Sequence, residues 1–214
     1  MLCKCMILAL SLLVSQLLVL PTNYETPNDQ ITQSFFPIEV GTKWVYQIGK
    51  VEETRVVTKA EKIGDATFLS IGRMLVCGAV VPYDQVKLTA KELSQTPIPA
   101  SDVLTPSIDQ VTPAVLLRLP PNAGDKWDYE MVDSRPFGIR EKGTISVGPT
   151  EEIEVPAGKF SAIRIETTVG ILRATPLMKP VRTVYWYSPG LGMVKKVFSD
   201  DRIVVLKSFS LAKK

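Results

Sequence analysis

The sequence contains no histidine. A Ser-His-Asp triad, a Cys-His dyad and a zinc site with histidine ligands are therefore excluded. Histidine is also the side chain that most often acts as a general base near neutral pH, so its absence lowers the expectation of catalysis. We therefore expect a protein that is not an enzyme and that carries no cofactor and no metal.

Cysteine is also scarce, with three residues in 214. Cys3 and Cys5 lie at the N-terminus, and Cys77 stands alone in the rest of the chain. The main domain therefore cannot form an internal disulfide. Cys77 follows the apolar residues Met74, Leu75 and Val76, which predicts a small buried hydrophobic side chain. A reactive thiol is the less favoured alternative, because the sequence places no base beside it.

The chain has no dense block of positive charge. The net charge is +3, from 25 lysines and arginines against 22 acidic residues, and the basic residues are spread along the sequence. A nucleic-acid-binding surface normally concentrates its lysines and arginines, so this distribution disfavours nucleic acid as a partner. The mild basicity predicts an ordinary solvated surface.

Residues 1–20 resemble a secretory signal, because Lys4 precedes an uncharged, leucine-rich run from Met6 to Leu20. A membrane span needs about 20 apolar residues, so this run is short for one. No small-x-small cleavage site stands out, which leaves an uncleaved membrane anchor as the alternative. Residues 21–34 are polar and predict a flexible tether. The expected location is outside the cytoplasm: periplasmic, secreted or anchored to the membrane.

One motif occurs twice. Residues Phe36–Tyr46 recur as Leu119–Tyr129 with the shared pattern apolar-Pro-x-x-x-Gly-x-Lys-Trp-x-Tyr. Two of the three tryptophans lie in this motif. A gapless match that includes Trp, Pro and Gly is typical of an internal repeat. The motif predicts a Pro/Gly turn that starts a β-strand, used once in each half of the chain.

The remaining pattern is mostly β, with alternating apolar residues and turn signals about every 8–12 residues. It predicts one domain, 35–209, folded as an antiparallel curved sheet or open half-barrel built from two related halves, 35–94 and 122–209. Between them, residues 95–121 hold six prolines and predict a crossover. Within it, Pro113–Leu117 could form a short helical piece. Pro82 predicts an edge position or a bulge, and 137–147 and 151–155 are expected to be separate strands.

Three motifs together resemble a family of uncharacterised exported bacterial β-proteins. They are Phe36–Tyr46, Val155–Phe160 and Tyr185–Lys195, which match the family patterns FPxxxGxxWxY, VPAGxF and YWYxPGxGxVK. The resemblance implies an exported β-protein whose outline is similar to lipoprotein-carrier half-barrels, which hold acyl chains on a concave face. Family members often carry a lipid-attachment cysteine after the signal, and this chain lacks one. The resemblance implies no established activity and transfers no functional residues.

Aromatic side chains are the candidate ligand-binding residues. Residues two apart on a strand share a face, so each Trp-x-Tyr pair supplies a large apolar area on one side. Lys43 and Lys126 would then lie on the opposite face. Core packing is the favoured explanation for these aromatics, and a ligand-cavity wall is the alternative. The candidates are Trp44, Tyr46, Trp127, Tyr129, Tyr185, Trp186 and Tyr187.

The acidic residues allow a weaker hypothesis of hydrolysis. Glu152 and Glu154 share a strand face about 6.5–7 Å apart, a spacing that fits an inverting glycosidase pair. Solvated outward carboxylates are the favoured explanation. Asp200-Asp201 predicts a turn. Ser188–Gly192 also predicts a hairpin turn, because it lacks the Gly-Lys-Ser/Thr ending of a phosphate loop.

These observations favour a non-catalytic binding protein of the cell envelope. The expected partner is a hydrophobic or lipid-like small molecule on a concave apolar face. The alternative is a structural or protein-interaction module that contacts another envelope protein, and a hydrolase comes third.

Overall fold

A computed structural model describes residues 35–98, 113–132, 140–172 and 180–212. The predicted signal or anchor and the predicted tether lie outside the described residues. Twelve antiparallel strands form one sheet, and no other regular element occurs in the described residues. The strands are β1 Lys43–Ile48, β2 Val51–Ile63, β3 Ala66–Met74, β4 Val80–Leu88, β5 Glu92–Pro97, β6 Ala114–Arg118, β7 Lys126–Val132, β8 Arg140–Val155, β9 Gly158–Leu172, β10 Val181–Ser188, β11 Gly192–Phe198 and β12 Ile203–Ser210.

The first and last strands lie side by side in the middle of this sheet. β1 pairs with β2 on one side and with β12 on the other, so the strand order runs from β6 through β1 and β12 to β7. β6 and β7 are the two edges, and they approach each other. The predicted antiparallel curved sheet is confirmed. It curves further than a half-barrel and forms a nearly closed barrel.

The pairing register between neighbouring strands is irregular at several points of this curved sheet. The ladders shift at several points, including β1 with β12, β3 with β4 and β8 with β9. Bulges increase the twist and bend the strands, which helps a sheet curl towards closure. The prediction of a bulge at Pro82 is confirmed: Gly72 pairs with Pro82 while Ile71 pairs with Asp84. Proline cannot donate a ladder hydrogen bond, so the bulge accommodates it.

A side chain bridges the seam between the two edge strands. The indole Nε1 of Trp127 donates a 3.0 Å hydrogen bond to the carbonyl of Val115 on β6. The guanidinium of Arg118 lies 5.0 Å from the centre of the Trp127 ring. Contacts of this kind join β6 to β7, whereas the other neighbouring strands are joined by a backbone ladder.

The two copies of the repeated motif have matching backbone geometry. Gly41 and Gly124 have φ of 95° and 96°, a region that favours glycine. Their N–H groups donate to the carbonyls of Val57 and Val147, both at 2.8 Å. Each turn then leads into a strand that begins with an exposed lysine and a buried tryptophan. The prediction that this motif is a strand-opening turn is confirmed at both places. A relationship between the whole halves stays a prediction.

Two local expectations were wrong. Pro113–Leu117 leads into strand β6 rather than a helix, because its residues pair with β5 at the sheet edge, where a preceding proline is tolerated. The described part of the predicted strand 137–147, residues 140–147, and the predicted strand 151–155 belong to one strand, β8, interrupted by a bulge around Gly148. The middle of the predicted crossover, 99–112, lies outside the described residues, while its beginning belongs to β5.

The prediction for Cys77 was also wrong, because its thiol is exposed. β3 ends at Met74, and the next five residues form a turn closed by a 2.8 Å hydrogen bond from Leu75 N–H to the Ala79 carbonyl. The apolar run that predicted burial therefore crosses the end of a strand. Val76 in this turn is fully exposed.

Candidate functional site

The barrel encloses a cavity of about 450 Å³. Side chains from ten of the twelve strands line it, because inward residues alternate with outward ones along each strand. Much of the wall is aliphatic or thioether surface: Ile71, Val86, Leu93, Leu116, Met131 and Met193. The inward-facing side chains therefore leave a space that they do not fill, and part of its wall is apolar.

Aromatic side chains supply another part of the wall. Five of the seven candidate residues line the cavity: Trp44, Tyr46, Tyr129, Tyr185 and Tyr187. Trp44 and Tyr46 are almost fully buried, and the Tyr46 hydroxyl donates a 2.9 Å hydrogen bond to the Met193 carbonyl. Burial raises the pKa of Tyr185 to about 12, so this phenol is neutral. Trp44 and Tyr46 lie on the same face of β1, as predicted. Lys43 and Lys126 are exposed on the opposite face of their strands.

The other two candidate residues do not line the cavity. Trp127 is buried at the seam between β6 and β7, as described above. Trp186 lies on the opposite face of β10 from Tyr185 and Tyr187, because neighbouring side chains alternate along a strand. Its indole donates a 2.8 Å hydrogen bond to Glu151, and the Lys195 ammonium lies 5.0 Å from its ring centre.

Charged side chains also line the cavity. The Arg55 guanidinium lies between two aromatic rings, 4.6 Å from the centre of Tyr46 and 4.5 Å from that of Tyr83. It forms a 2.7 Å ion pair with Glu53 on the same strand. Arg73 approaches the other oxygen of Glu53 at 3.7 Å. Glu53 is therefore shared by two arginines.

Asp84 is a buried carboxyl group in the same wall, with 6% of its surface exposed. The Gln95 side chain donates to it at 2.5 Å. Burial raises the pKa of Asp84 to about 7, against the lowering effects of Arg55 and of the Gln95 hydrogen bond. Near neutral pH this carboxyl group therefore exists in both protonation states.

Lys196 is a cation that faces the cavity from β11. Its ammonium lies 4.9 Å from the ring centre of Tyr185 and 4.2 Å from that of Phe198. It forms no hydrogen bond or ion pair with any residue that the structure describes. Burial, together with repulsion from Arg55, lowers the pKa of Lys196 to about 8.

Glu141 contributes the remaining charged group of the lining. The Tyr129 hydroxyl donates a 2.9 Å hydrogen bond to its carboxylate, across the pair of strands β7 and β8. Burial, the negative charge of Glu141 and this hydrogen bond together raise the pKa of Tyr129 well above its ordinary value. Tyr129 is therefore held as a neutral donor at this point of the wall.

The carboxylates proposed for hydrolysis do not come together in this cavity. Glu152 and Glu154 are exposed, and Glu151 bonds to Trp186 on the other face of β10. Asp200 lies in the turn before β12, where its carboxylate pairs with Arg202 at 2.7 Å. Among the described residues no cluster of three or more acidic or cysteine side chains could hold a metal ion. The hairpin turn at Ser188–Gly192 is confirmed between β10 and β11.

Sequence reasoning missed the charged lining residues Arg55, Asp84, Glu141 and Lys196. A signal was present, because Asp84 alternates with Val86 and Leu88, which lie on an inward face. Arg55 similarly precedes Val57 by two positions. A charged residue in phase with buried neighbours is a candidate for a polar group inside a cavity.

Two of the three sequence motifs, Phe36–Tyr46 and Tyr185–Lys195, meet beside this cavity. The ring of Phe36 packs on Trp44, with 5.2 Å between ring centres, and on Gly192, where an added Cβ would lie 2.9 Å from the ring. The indole of Trp44 donates a 2.7 Å hydrogen bond to the Leu191 carbonyl. The first and third motifs are therefore in direct contact.

Comparison with solved structures identifies the same fold. A candidate lipoprotein from Parabacteroides distasonis is 16% identical, with a TM-score of 0.55 over 83% of this chain and 98% of that one. A candidate exported protein from Bacteroides fragilis, described as having a YmcC-like fold, is 15% identical, with a TM-score of 0.54 over 83% and 99%. At this identity the likeness concerns the fold alone.

The hypothetical lipoprotein YmcC from Escherichia coli has a TM-score of 0.40 and 10% identity over 81% of this chain and 85% of that one. No protein-family model matches the chain. No curated protein matches it by sequence. No helix in the described residues is long and apolar enough to cross a membrane.

Proposed function

We propose that this chain is a non-catalytic, extracytoplasmic binding protein that holds a hydrophobic or lipid-like ligand inside its barrel. The observation that carries the proposal is the cavity of about 450 Å³, with its aliphatic and aromatic wall. Small-molecule sites are typically concave spaces of roughly 300–1,000 Å³ with a mainly apolar lining and a few polar groups. This cavity lies within that range of volume, and its lining combines aliphatic and aromatic side chains with the charged groups of Arg55, Asp84, Glu141 and Lys196.

Two further observations support the location. The structural neighbours from Parabacteroides and Bacteroides are described as a lipoprotein and an exported protein. Residues 1–20 of this chain have the pattern of a secretory signal or anchor. The proposed location is therefore the cell envelope or the extracellular space.

The test is native mass spectrometry of the protein purified from cell envelopes, with mild detergent removed before measurement. The wild type is expected to carry an extra mass of lipid size. Ala114→Phe places a ring in the cavity from β6 and should remove that mass while the protein stays folded by circular dichroism. Val51→Phe, at an exposed position of β2, is the matched control and should keep it.

A protein without extra mass that also takes up no apolar probe would overturn the proposal. The probe is dodecanol, measured by displacement of a fluorescent dye from the purified wild type. Binding that survives Ala114→Phe unchanged would place the ligand outside the cavity and would count against the proposal equally.

A protein-interaction module is the second candidate function, and the turn between β3 and β4 favours it. Leu75, Val76 and Val80 are all exposed there. Neighbouring exposed apolar side chains often mark a contact surface for another protein. A stoichiometric partner that binds the wild type but not Val76→Ser, in purified form, would support this function. Equal binding to both would remove the turn as the contact surface.

A further inference from the structure

The Lys196 ammonium has no counter-ion among the residues that the structure describes. The groups that influence it are Arg55, Arg202, Asp84 and Glu53. Glu53 is committed to Arg55 at 2.7 Å and lies 3.7 Å from Arg73. Asp84 is bonded to Gln95 at 2.5 Å, and burial keeps this carboxyl partly protonated at neutral pH. The nearby carboxyl groups therefore leave Lys196 without a direct partner.

An inward-facing cation without a partner is costly for a folded protein. Moving a charged group out of water requires compensation by an opposite charge or by hydrogen bonds. The aromatic rings of Tyr185 and Phe198 attract the Lys196 ammonium, but they replace an opposite charge only in part. Arg55 faces the same cavity, so the local potential around Lys196 has a further positive contribution. A group of negative charge in the cavity would supply the missing compensation.

The size of the cavity limits the ligand. At about 30 Å³ for each water-sized group, a space of 450 Å³ holds on the order of 15 non-hydrogen groups. A single chain of about a dozen carbons with a small head has this size. The wall around Ile71, Val86 and Leu93 is apolar, which suits such a chain.

We infer that the ligand is a single-chain amphiphile with an acidic head, a carboxylate or a phosphate, that pairs with Lys196 while its tail lies along the apolar wall. This inference rests on the proposed function, because it names the chemistry of the molecule that the cavity holds. Charge-assisted hydrogen bonds are stronger than neutral ones, so the head sets the preference and the tail supplies apolar contact.

The test compares four probes that differ only in the head: dodecanoate, dodecyl phosphate, dodecanol and dodecylamine. Binding to the full-length protein is measured by calorimetry at pH 7, below the critical micelle concentration of each probe. Both acidic probes should bind roughly ten- to a hundred-fold more tightly than dodecanol, the ratio expected for one charged hydrogen bond. Dodecylamine should bind more weakly than dodecanol, because Lys196 and Arg55 repel it.

Acetate and inorganic phosphate alone distinguish a lipid head from a free anion. If they bind as tightly as the dodecyl probes, the site recognises a free anion and the amphiphile is overturned. If dodecanol binds as tightly as dodecanoate, the inference of an acidic head is overturned, while the proposed function stands. If none of the four dodecyl probes binds, the proposed function fails together with the inference.

Variants assign the effect to Lys196. Lys196→Met keeps the length of the side chain and should reduce the ratio of dodecanoate to dodecanol affinity to about one. Lys195→Met is the matched control, because Lys195 contacts Trp186 on the other face, and it should keep the wild-type ratio. Lys196→Arg retains the charge and keeps the inference testable if Lys196→Met does not fold. Two results would overturn the role of Lys196. One is a ratio of dodecanoate to dodecanol affinity that stays at the wild-type value in Lys196→Met. The other is a ratio that falls to about one in both single variants Lys196→Arg and Lys195→Met.

Discussion

At the scale of single residues, the positions that matter most are those where two motifs touch. Phe36, from the first motif, packs against Gly192, from the third. Gly192 has φ of 83°, and it has no side chain that would displace the ring. The sequence shows both residues as parts of separate patterns 156 positions apart. Their contact explains why a glycine is needed at that point of the hairpin.

Gly192→Ala is expected to destabilise the protein by roughly 2–5 kcal/mol. A positive φ costs about 1–2 kcal/mol for a residue with a Cβ, and overpacking adds about 1–3 kcal/mol. The added Cβ would lie 2.9 Å from the Phe36 ring. The free energy of unfolding in urea measures the effect.

Gly190→Ala is the matched control for this prediction. Gly190 also has a positive φ, 75°, but no heavy atom lies within 4 Å of its added Cβ. Gly190→Ala should lower the free energy of unfolding only by the cost of a positive φ, about 1–2 kcal/mol. Equal costs for the two variants would show that the Phe36 contact does not matter.

At the scale of elements, the long hairpin of β8 and β9 reaches beyond its own ladder. Its tip carries the second motif, and the Ala157 N–H donates a 3.1 Å hydrogen bond to the Leu206 carbonyl of β12. Ile153 and Val155, just before the tip, are buried, whereas Glu152 and Glu154 are exposed. This alternation explains the two glutamates as the solvated face of a packed hairpin.

Ile153→Ala should cost about 2–4 kcal/mol of unfolding free energy, the range for large-to-small changes in a core. Glu152→Ala, one position away on the exposed face, should change stability by less than about 0.5 kcal/mol. Urea denaturation of both variants measures the difference. A small cost for Ile153→Ala would mean that the hairpin tip is not part of the cooperative core.

At the scale of the whole molecule, closing the sheet brings charges from different strands into one interior. Arg55, Asp84 and Lys196 come from β2, β4 and β11, and they face one cavity because the sheet curves around it. Trp127 bridges the remaining seam by its bond to Val115. The interior therefore combines aliphatic and aromatic wall with charged groups from several strands.

The stability of the unliganded protein is expected to pass through a local minimum between about pH 7 and 8. The pKa of Asp84 is raised from 3.8 to about 7, so the folded state binds the extra proton and stability falls as the pH rises through this range. The pKa of Lys196 is lowered from 10.5 to about 8, so the unfolded state binds the extra proton above pH 8 and stability rises again.

Urea denaturation between pH 4 and 10 measures this profile. The double variant Asp84→Asn and Lys196→Met should flatten it, because neither replacement titrates. Glu166 does not interfere: bonding to Arg182 lowers the pKa of this carboxylate to about 2, so its contribution is lost only at acid pH. A profile that is unchanged in the double variant would mean that other groups control the pH dependence.

The sequence by itself determined the class of fold and the places where the chain turns. Alternation in Lys43–Ile48 and the repeated Pro/Gly turns are local properties, since the side-chain direction of a strand changes at every residue. The shared face of Trp44 and Tyr46 and the opposite face of Lys43 were predicted for the same reason. Cys77 and residues 113–117 were predicted wrongly, because the end of a strand and pairing at an edge depend on neighbouring strands.

Only the tertiary structure decided how far the sheet closes and what the interior contains. Closure depends on bulges between strands that are distant in sequence, such as β1 and β12, and local patterns do not encode that register. Lys195 and Lys196 are adjacent and chemically identical, yet one contacts Trp186 on the outside and the other faces the cavity. Their difference arises from the pairing of β10 with β11, which places Tyr185 opposite Lys196.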